Sequence, residues 1–230
     1  MRTRSLTGLL FIAVIGLIAS DSAAIAECND GPQPAVDWSG CSKERLMLEG
    51  SDLTGANLDH VLLSGTGLQS VKLIGANFQR SELVRSSFHD ADLSGANLEK
   101  ALASRADFSG AKLVKARLVK VEFQRVNFTG ADLTDAIMSD GDFHRNDFTG
   151  AKLTGADLTG AIIPRSVFKS ADLTGATLEK AFLYFSRFEG VDLSGVKGLT
   201  QPQLDQTCGD PATKLPPGLT APASWPCPED

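Results

Sequence analysis

Several kinds of chemistry are missing from this 230-residue chain. Basic charge is not in excess: 22 Lys and Arg stand against 28 Asp and Glu, a formal charge of −6 and a pI near 5.1, so no nucleic-acid-binding surplus is visible. No CxxC spacing occurs among the four cysteines, which argues against zinc. There is no phosphate loop, and the glycine-rich nonapeptide that builds calcium sites in β-rolls is absent. His60, His89 and His144 lie far apart, with no serine or cysteine grouped beside them, so no catalytic constellation forms. The apolar run Leu9 to Ala19 has only eleven residues, too few against the roughly 20 that span a bilayer.

That short run has another reading. Arg2 and Arg4 precede it, and Ala24-Ile25-Ala26 supplies small residues where a signal peptidase reads. Residues 1–26 are expected to be a signal peptide cleaved after Ala26; the rival is an uncleaved anchor. Glu27 stands before Cys28, where a lipoprotein signal has a small residue, so a lipid anchor is not expected. Without residues 1–26 the formal charge would be −7 and no transmembrane segment would remain.

What the chain does have is a period. From Leu48 to Leu193 an apolar residue returns at every fifth position without one insertion, giving thirty quintets over residues 46–195, with Ala103 the weak member. Two residues before each stands a small or β-branched residue, such as Ala56, Val71, Ala91, Ala131 and Ala171. Neither the 3.6-residue period of a helix nor the alternation of a strand produces this. Stretches such as Ala91-Asp92-Leu93-Ser94-Gly95 and Ala171-Asp172-Leu173-Thr174-Gly175 resemble the pentapeptide-repeat family, A-(D/N)-L-x-x. The resemblance implies an all-β fold, a right-handed quadrilateral β-helix with one quintet per side and twenty residues per coil.

The columns support a twenty-residue coil independently. Reading every twentieth residue gathers Phe88, Phe108, Phe128, Phe148, Phe168 and Phe188 in one inward column. Outside another wall, Asp52, Lys72, Asp92, Lys112, Asp132, Lys152 and Asp172 alternate in sign, as neighbours about 4.8 Å apart should.

A rod of this kind needs its ends covered. Residues 27–45, with Trp38 between Cys28 and Cys41, are expected to form an N-terminal cap, and 196–230 a C-terminal one. Thr200-Gln201-Pro202-Gln203 resembles a helix start, predicting a short helix over 201–207 and then a proline-rich tail. An even cysteine count in an exported chain favours disulfides. With the two pairs at opposite ends of the rod, Cys28–Cys41 and Cys208–Cys227 are the expected bridges. The C-terminal helix is expected either to cap a monomer or to join two rods as a homodimer.

Two surface features remain. Arg85, Arg105, Arg125, Arg145 and Arg165 recur every twenty residues as a ladder, a candidate binding face for an anionic partner. The plainer reading is a solvated edge neutralised by Glu82, Glu122 and Asp142. Phe182, Tyr184 and Phe185, with Leu102 and Ile162 also outward, form a candidate aromatic patch unless the tail, through Leu215, Leu219 and Trp225, folds over it.

The functional expectation is therefore a non-enzymatic exported scaffold, periplasmic or secreted from a bacterium. It has no cofactor or metal, and its unknown macromolecular partner would be a protein or envelope component rather than nucleic acid. An anion- or polysaccharide-binding module using the arginines is the alternative. The family also suggests a DNA-mimicking gyrase binder of the quinolone-resistance type, against which stand the export signal and the self-neutralising Asp/Lys column.

Overall fold

The computed structural model describes residues 28–227. The expected signal peptide lies outside them. Parallel bridges join each paired residue to the one twenty positions on, from Asp37↔Asn57 through Asp92↔Lys112 to Thr177↔Lys197. The paired residues recur every fifth position, so each coil has four sides of one quintet each. Most pairings are single bridges. On one wall they lengthen into β1 (Leu102–Ser104) and β2 (Glu122–Gln124), parallel and in register.

One quintet shows why five residues make one side. In 91–95, Ala91 and Leu93 point inward and are fully buried. Leu93 N–H donates to Lys112 O on the following coil at 2.7 Å, while Asp92 N–H donates to Val71 O on the preceding one at 2.9 Å. Asp92 Oδ1 accepts the Ser94 N–H at 3.1 Å, which starts the corner and explains an acid or amide at the second position. Gly95 turns the corner at φ +67°, and Ala96 N–H closes it on Leu93 O at 3.0 Å.

The interior is sorted by wall. Phe88, Phe108, Phe128, Phe148, Phe168 and Phe188 stack with centroids 4.5–5.4 Å apart. Phe123 enters from the neighbouring wall and lies 5.8 Å from Phe108. Ala103, the weak member of the apolar series, pairs in register with Phe123 from one coil away and is fully buried. Thr66, Ser86, Ser166 and Ser186 form a buried hydroxyl column, each donating to a carbonyl of the preceding coil: Lys43, Leu63, Phe143 and Ile163.

Both ends differ from expectation in detail. The coil register already runs through the stretch expected as N-terminal cap, because Asp37 and Ser42 bridge to Asn57 and Leu62. Trp38, Cys41 and Lys43 fill the inward positions there, so the five-residue signal was hidden by unusual residue types. Lys43 reaches Asp30 O at 3.2 Å and lies 4.0 Å over the Trp38 ring; burial lowers its pKa. Cys28–Cys41 closes this end.

At the other end Arg187↔Cys208 and Asp192↔Lys214 continue the ladder with offsets of 21 and 22. One extra residue enters between Lys197 and Cys208, the stretch that holds α1 (Gln201–Leu204), and the second between Cys208 and Lys214. The helix is one turn, shorter than 201–207, because Cys208 must return to pair with Ser186 O at 2.8 Å. Gln203 accepts the Thr200 N–H at 2.9 Å and donates to Leu178 O and Ala181 O, both at 2.9 Å. Cys208–Cys227 and the bond from the Trp225 indole to Thr207 O, 2.7 Å, pin the tail.

Candidate functional site

One edge of the rod reads Arg45, Gly65, Arg85, Arg105, Arg125, Arg145, Arg165 and Phe185 at successive corners. The five sequence-predicted arginines all adopt φ between +55° and +57°, the left-handed region where a side chain is disfavoured. Their backbones are in register. Arg105, Arg125, Arg145 and Arg165 donate N–H bonds to Gln124, His144, Pro164 and Tyr184 carbonyls at 2.8–2.9 Å. The points from which the five side chains leave the backbone therefore repeat along the rod at the coil spacing, about 4.8 Å per step.

All five side chains are exposed. Among the described residues none forms an ion pair, although Glu82, Glu122 and Asp142 lie three residues before Arg85, Arg125 and Arg145. Asp142 instead accepts its own turn's His144 N–H at 3.1 Å. The expected local neutralisation is thus not made by contact. The opposite arrangement holds on the Asp/Lys wall, where Lys72, Lys112 and Lys152 reach Asp52, Asp92 and Asp132 at 3.7–3.9 Å. Neighbouring unit charges repel by roughly 0.9 kcal/mol at this spacing even in water.

Behind the edge the polar column does part of the work of holding it. Asn146 Oδ1 accepts the Val126 N–H at 2.8 Å, and Ser166 Oγ accepts the Asn146 N–H at 3.0 Å. These bonds take backbone donors just after Arg125 and Arg145. The serines stand at the small inward position that the sequence marks, but Asn146 and the bonds that the column makes to the backbone have no signature in the five-residue pattern.

Three hollows follow the edge in order. The first, about 390 Å³, is bordered by Val84, Arg85, Ser104, Arg105, Gln124 and Arg125. The next, about 250 Å³, lies between Gln124, Arg125, His144 and Arg145. The last is about 710 Å³ and is enclosed by Arg145, Arg165, Phe185, Arg187, Cys208, Ser224 and Cys227. No aspartate or glutamate lines any of the three among the described residues. Arg187 pairs with Glu189 at 2.8 Å. Arg187 and the tail residues escaped sequence reading because the course of the tail is set, besides its disulfide, by the Trp225 indole bond to Thr207 O and by bonds between Gln201 and Thr220, which have no periodic signature.

Phe182, Tyr184 and Phe185 stand at 44–47% exposure. Tyr184 packs on Phe185 with centroids 4.4 Å apart, and on Phe182 at 6.1 Å. The tail does not cover them: Leu215 packs against the core and Trp225 against Gly209. His60, His89 and His144 are not brought together, but His89 does have a serine beside it, contrary to expectation. Its Nδ1 lies 2.9 Å from Ser109 Oγ and its Nε2 3.1 Å from Asp90, on an exposed corner outside the three hollows. Among the described residues no group of three or more His, Cys, Asp or Glu is placed to hold a metal ion. None of the described helices is long and apolar enough to cross a membrane. What the edge offers chemically is a line of forked donors for an extended anion.

Comparison with known proteins points one way. The family model for pentapeptide repeats matches in eight copies, over residues 47–80, 63–99, 104–140, 127–163 and 165–197. Among solved structures, the chain is similar to HetL, a pentapeptide repeat protein involved in heterocyst differentiation regulation from the cyanobacterium Nostoc sp. strain PCC 7120. That likeness has 25% identity, covers 80% of this chain and 84% of that one, and has a TM-score of 0.31. It is also similar to QnrB1, a plasmid-mediated fluoroquinolone resistance protein, at 18% identity over 79% of this chain and 94% of that one, TM-score 0.46. A pentapeptide repeat protein from the Arabidopsis thaliana thylakoid lumen is 30% identical over 39% of this chain and 63% of that one, TM-score 0.28. No curated protein matches.

Proposed function

Because the chain belongs to the pentapeptide-repeat family, we propose that it is an exported, non-enzymatic binding rod, wound right-handed like the family. Its arginine edge is the working face. Two disulfides fit an oxidising compartment, in keeping with the periplasm or the outside of the cell. The observation that carries the reading is the row of five exposed arginines, uncompensated by ion pairs among the described residues, on a chain that neutralises its other charged wall. A partner with regularly spaced carboxylate, sulfate or phosphate groups would relieve the mutual repulsion and accept bidentate bonds along the row.

The DNA-mimic alternative needs dense negative charge along a face. The Asp/Lys wall is paired and the arginine edge is basic, so neither of these described faces favours it.

The test is retention of the protein on immobilised polygalacturonate against neutral dextran. Wild-type protein should be retained and released by salt. The triple variant Arg105→Gly/Arg125→Gly/Arg145→Gly should pass through while keeping its far-UV circular dichroism. Equal retention of the folded variant would show that the edge is structural only.

A further inference from the structure

We propose that the large hollow at the C-terminal end of the edge is a separate pocket for a small amphiphilic anion, one anionic head joined to an aromatic or apolar body. Its size, about 710 Å³, lies in the range of small-molecule sites, whereas the two hollows before it are shallower and polar. The lining divides by chemistry. Arg145 and Arg165 supply the donors and form no ion pair among the described residues, while Arg187 borders the hollow and is held by Glu189 at 2.8 Å. Phe185 supplies an aromatic wall at the very corner where the edge would otherwise continue with a sixth arginine.

The aromatic wall is not a stray exposed side chain. Phe185 is held at φ +56°, its N–H donates to Gln206 O beside α1 at 2.7 Å, and Tyr184 backs it. The opposite wall is the tail, fixed by Cys208–Cys227 and by the Trp225 indole bond to Thr207 O. A body stacked on Phe185 would place its head among guanidinium groups, a combination that neither inorganic anions nor neutral aromatics satisfy fully.

The pocket shares Arg145 and Arg165 with the edge, whereas Arg105 borders only the groove, so Arg105→Gly separates polymer binding from binding in the pocket. Isothermal titration with naphthoate, naphthamide and inorganic phosphate tests it on the full mature chain. Naphthoate should bind at least about tenfold more tightly than either comparison compound, the effect of losing one charged hydrogen bond or the ring contact. Phe185→Gly and Arg165→Gly suit the local φ and should each weaken naphthoate about tenfold. The double variant Cys208→Ser/Cys227→Ser, which frees one wall, should do the same, while Arg105→Gly should leave naphthoate binding unchanged. No naphthoate binding, binding equal to naphthamide or to phosphate, or binding untouched by Phe185→Gly and Arg165→Gly in folded protein would each overturn the proposal.

Discussion

An arginine at positive φ is a costly way to turn a corner. The left-handed conformation costs a side-chain-bearing residue roughly 1–2 kcal/mol, and glycine in its place gives back part of that through the unfolded chain, roughly 0.5–1 kcal/mol. Arg105→Gly and Arg125→Gly should therefore each raise stability by about 0.5–1 kcal/mol, read from denaturant midpoints, even as polymer retention falls. The same φ is held by side-chain-bearing corners on other edges, among them His60, Ser70, Lys115 and Asp135, so this cost belongs to the coil corner and not to the arginine edge alone. Carboxylates supply a second residue-scale test. Asp192 is drawn from 3.8 to about 2, chiefly by the hydrogen bond from Lys214 and then by those from Ser194. A depressed acid contributes stability above its unfolded value, so this contribution is present above pH 3.8 and disappears as pH falls through about 2. The difference in melting temperature between wild-type protein and Asp192→Asn should hold at neutral pH and close over that acid window; a difference independent of pH would remove the clasp from the account.

Coils are the elements here, and their energy is shared between neighbours. Phe128 touches Phe108, Phe123 and Phe148, so Phe128→Ala opens a void inside a continuous ring stack. A cost of about 3–5 kcal/mol is expected, at the upper end of core truncations because the fixed backbone ladder prevents collapse. Thermal unfolding followed by circular dichroism measures it. The stack is also where sequence reading reached furthest. Phe108 over Phe128 and Asp92 beside Lys112 follow from a twenty-residue period alone, because side-chain direction in a stacked coil is set by register. The reading faltered where register is hidden. Trp38 and Lys43 occupy inward positions that the apolar pattern does not flag, and the two-residue slip near α1 has no periodic signature. It also weighted the acids differently. At Asp52 and Asp172 the hydrogen bonds from Thr54 and Thr174 lower the pKa more than any lysine does, so the second-position acid is a turn former first. The arginine ladder was legible by spacing, but its lack of ion pairs depends on side-chain geometry, and the C-terminal pocket depends on a tail whose course is set by a disulfide and by hydrogen bonds of Trp225 and Thr220 that follow no period.

At the scale of the whole molecule the question is whether a rod with coil edges at its ends stands alone or pairs with a second copy. A solenoid passes energy only between neighbouring coils, so its last coil is held by one interface instead of two. Here the end is covered by the chain itself. Gln203 bonds two carbonyls of the last full coil, Leu204 is buried, and Lys214 pairs back onto Asp192 at 2.8 Å. These contacts favour a monomer over the end-to-end homodimer that the C-terminal helix otherwise suggests. Cys208–Cys227 closes a 19-residue separation, and removing it should cost about 3 kcal/mol, felt locally rather than throughout. In Cys208→Ser/Cys227→Ser, amide exchange should quicken at 186–214 while the phenylalanine coils between 86 and 148 keep their protection. Freed from its tail, the terminal coil exposes strand edge, so sedimentation should show association that grows with concentration in the variant and a monomer in the wild type. A wild-type dimer would mean that the terminal coil is a joint between rods, with the arginine edge running across both.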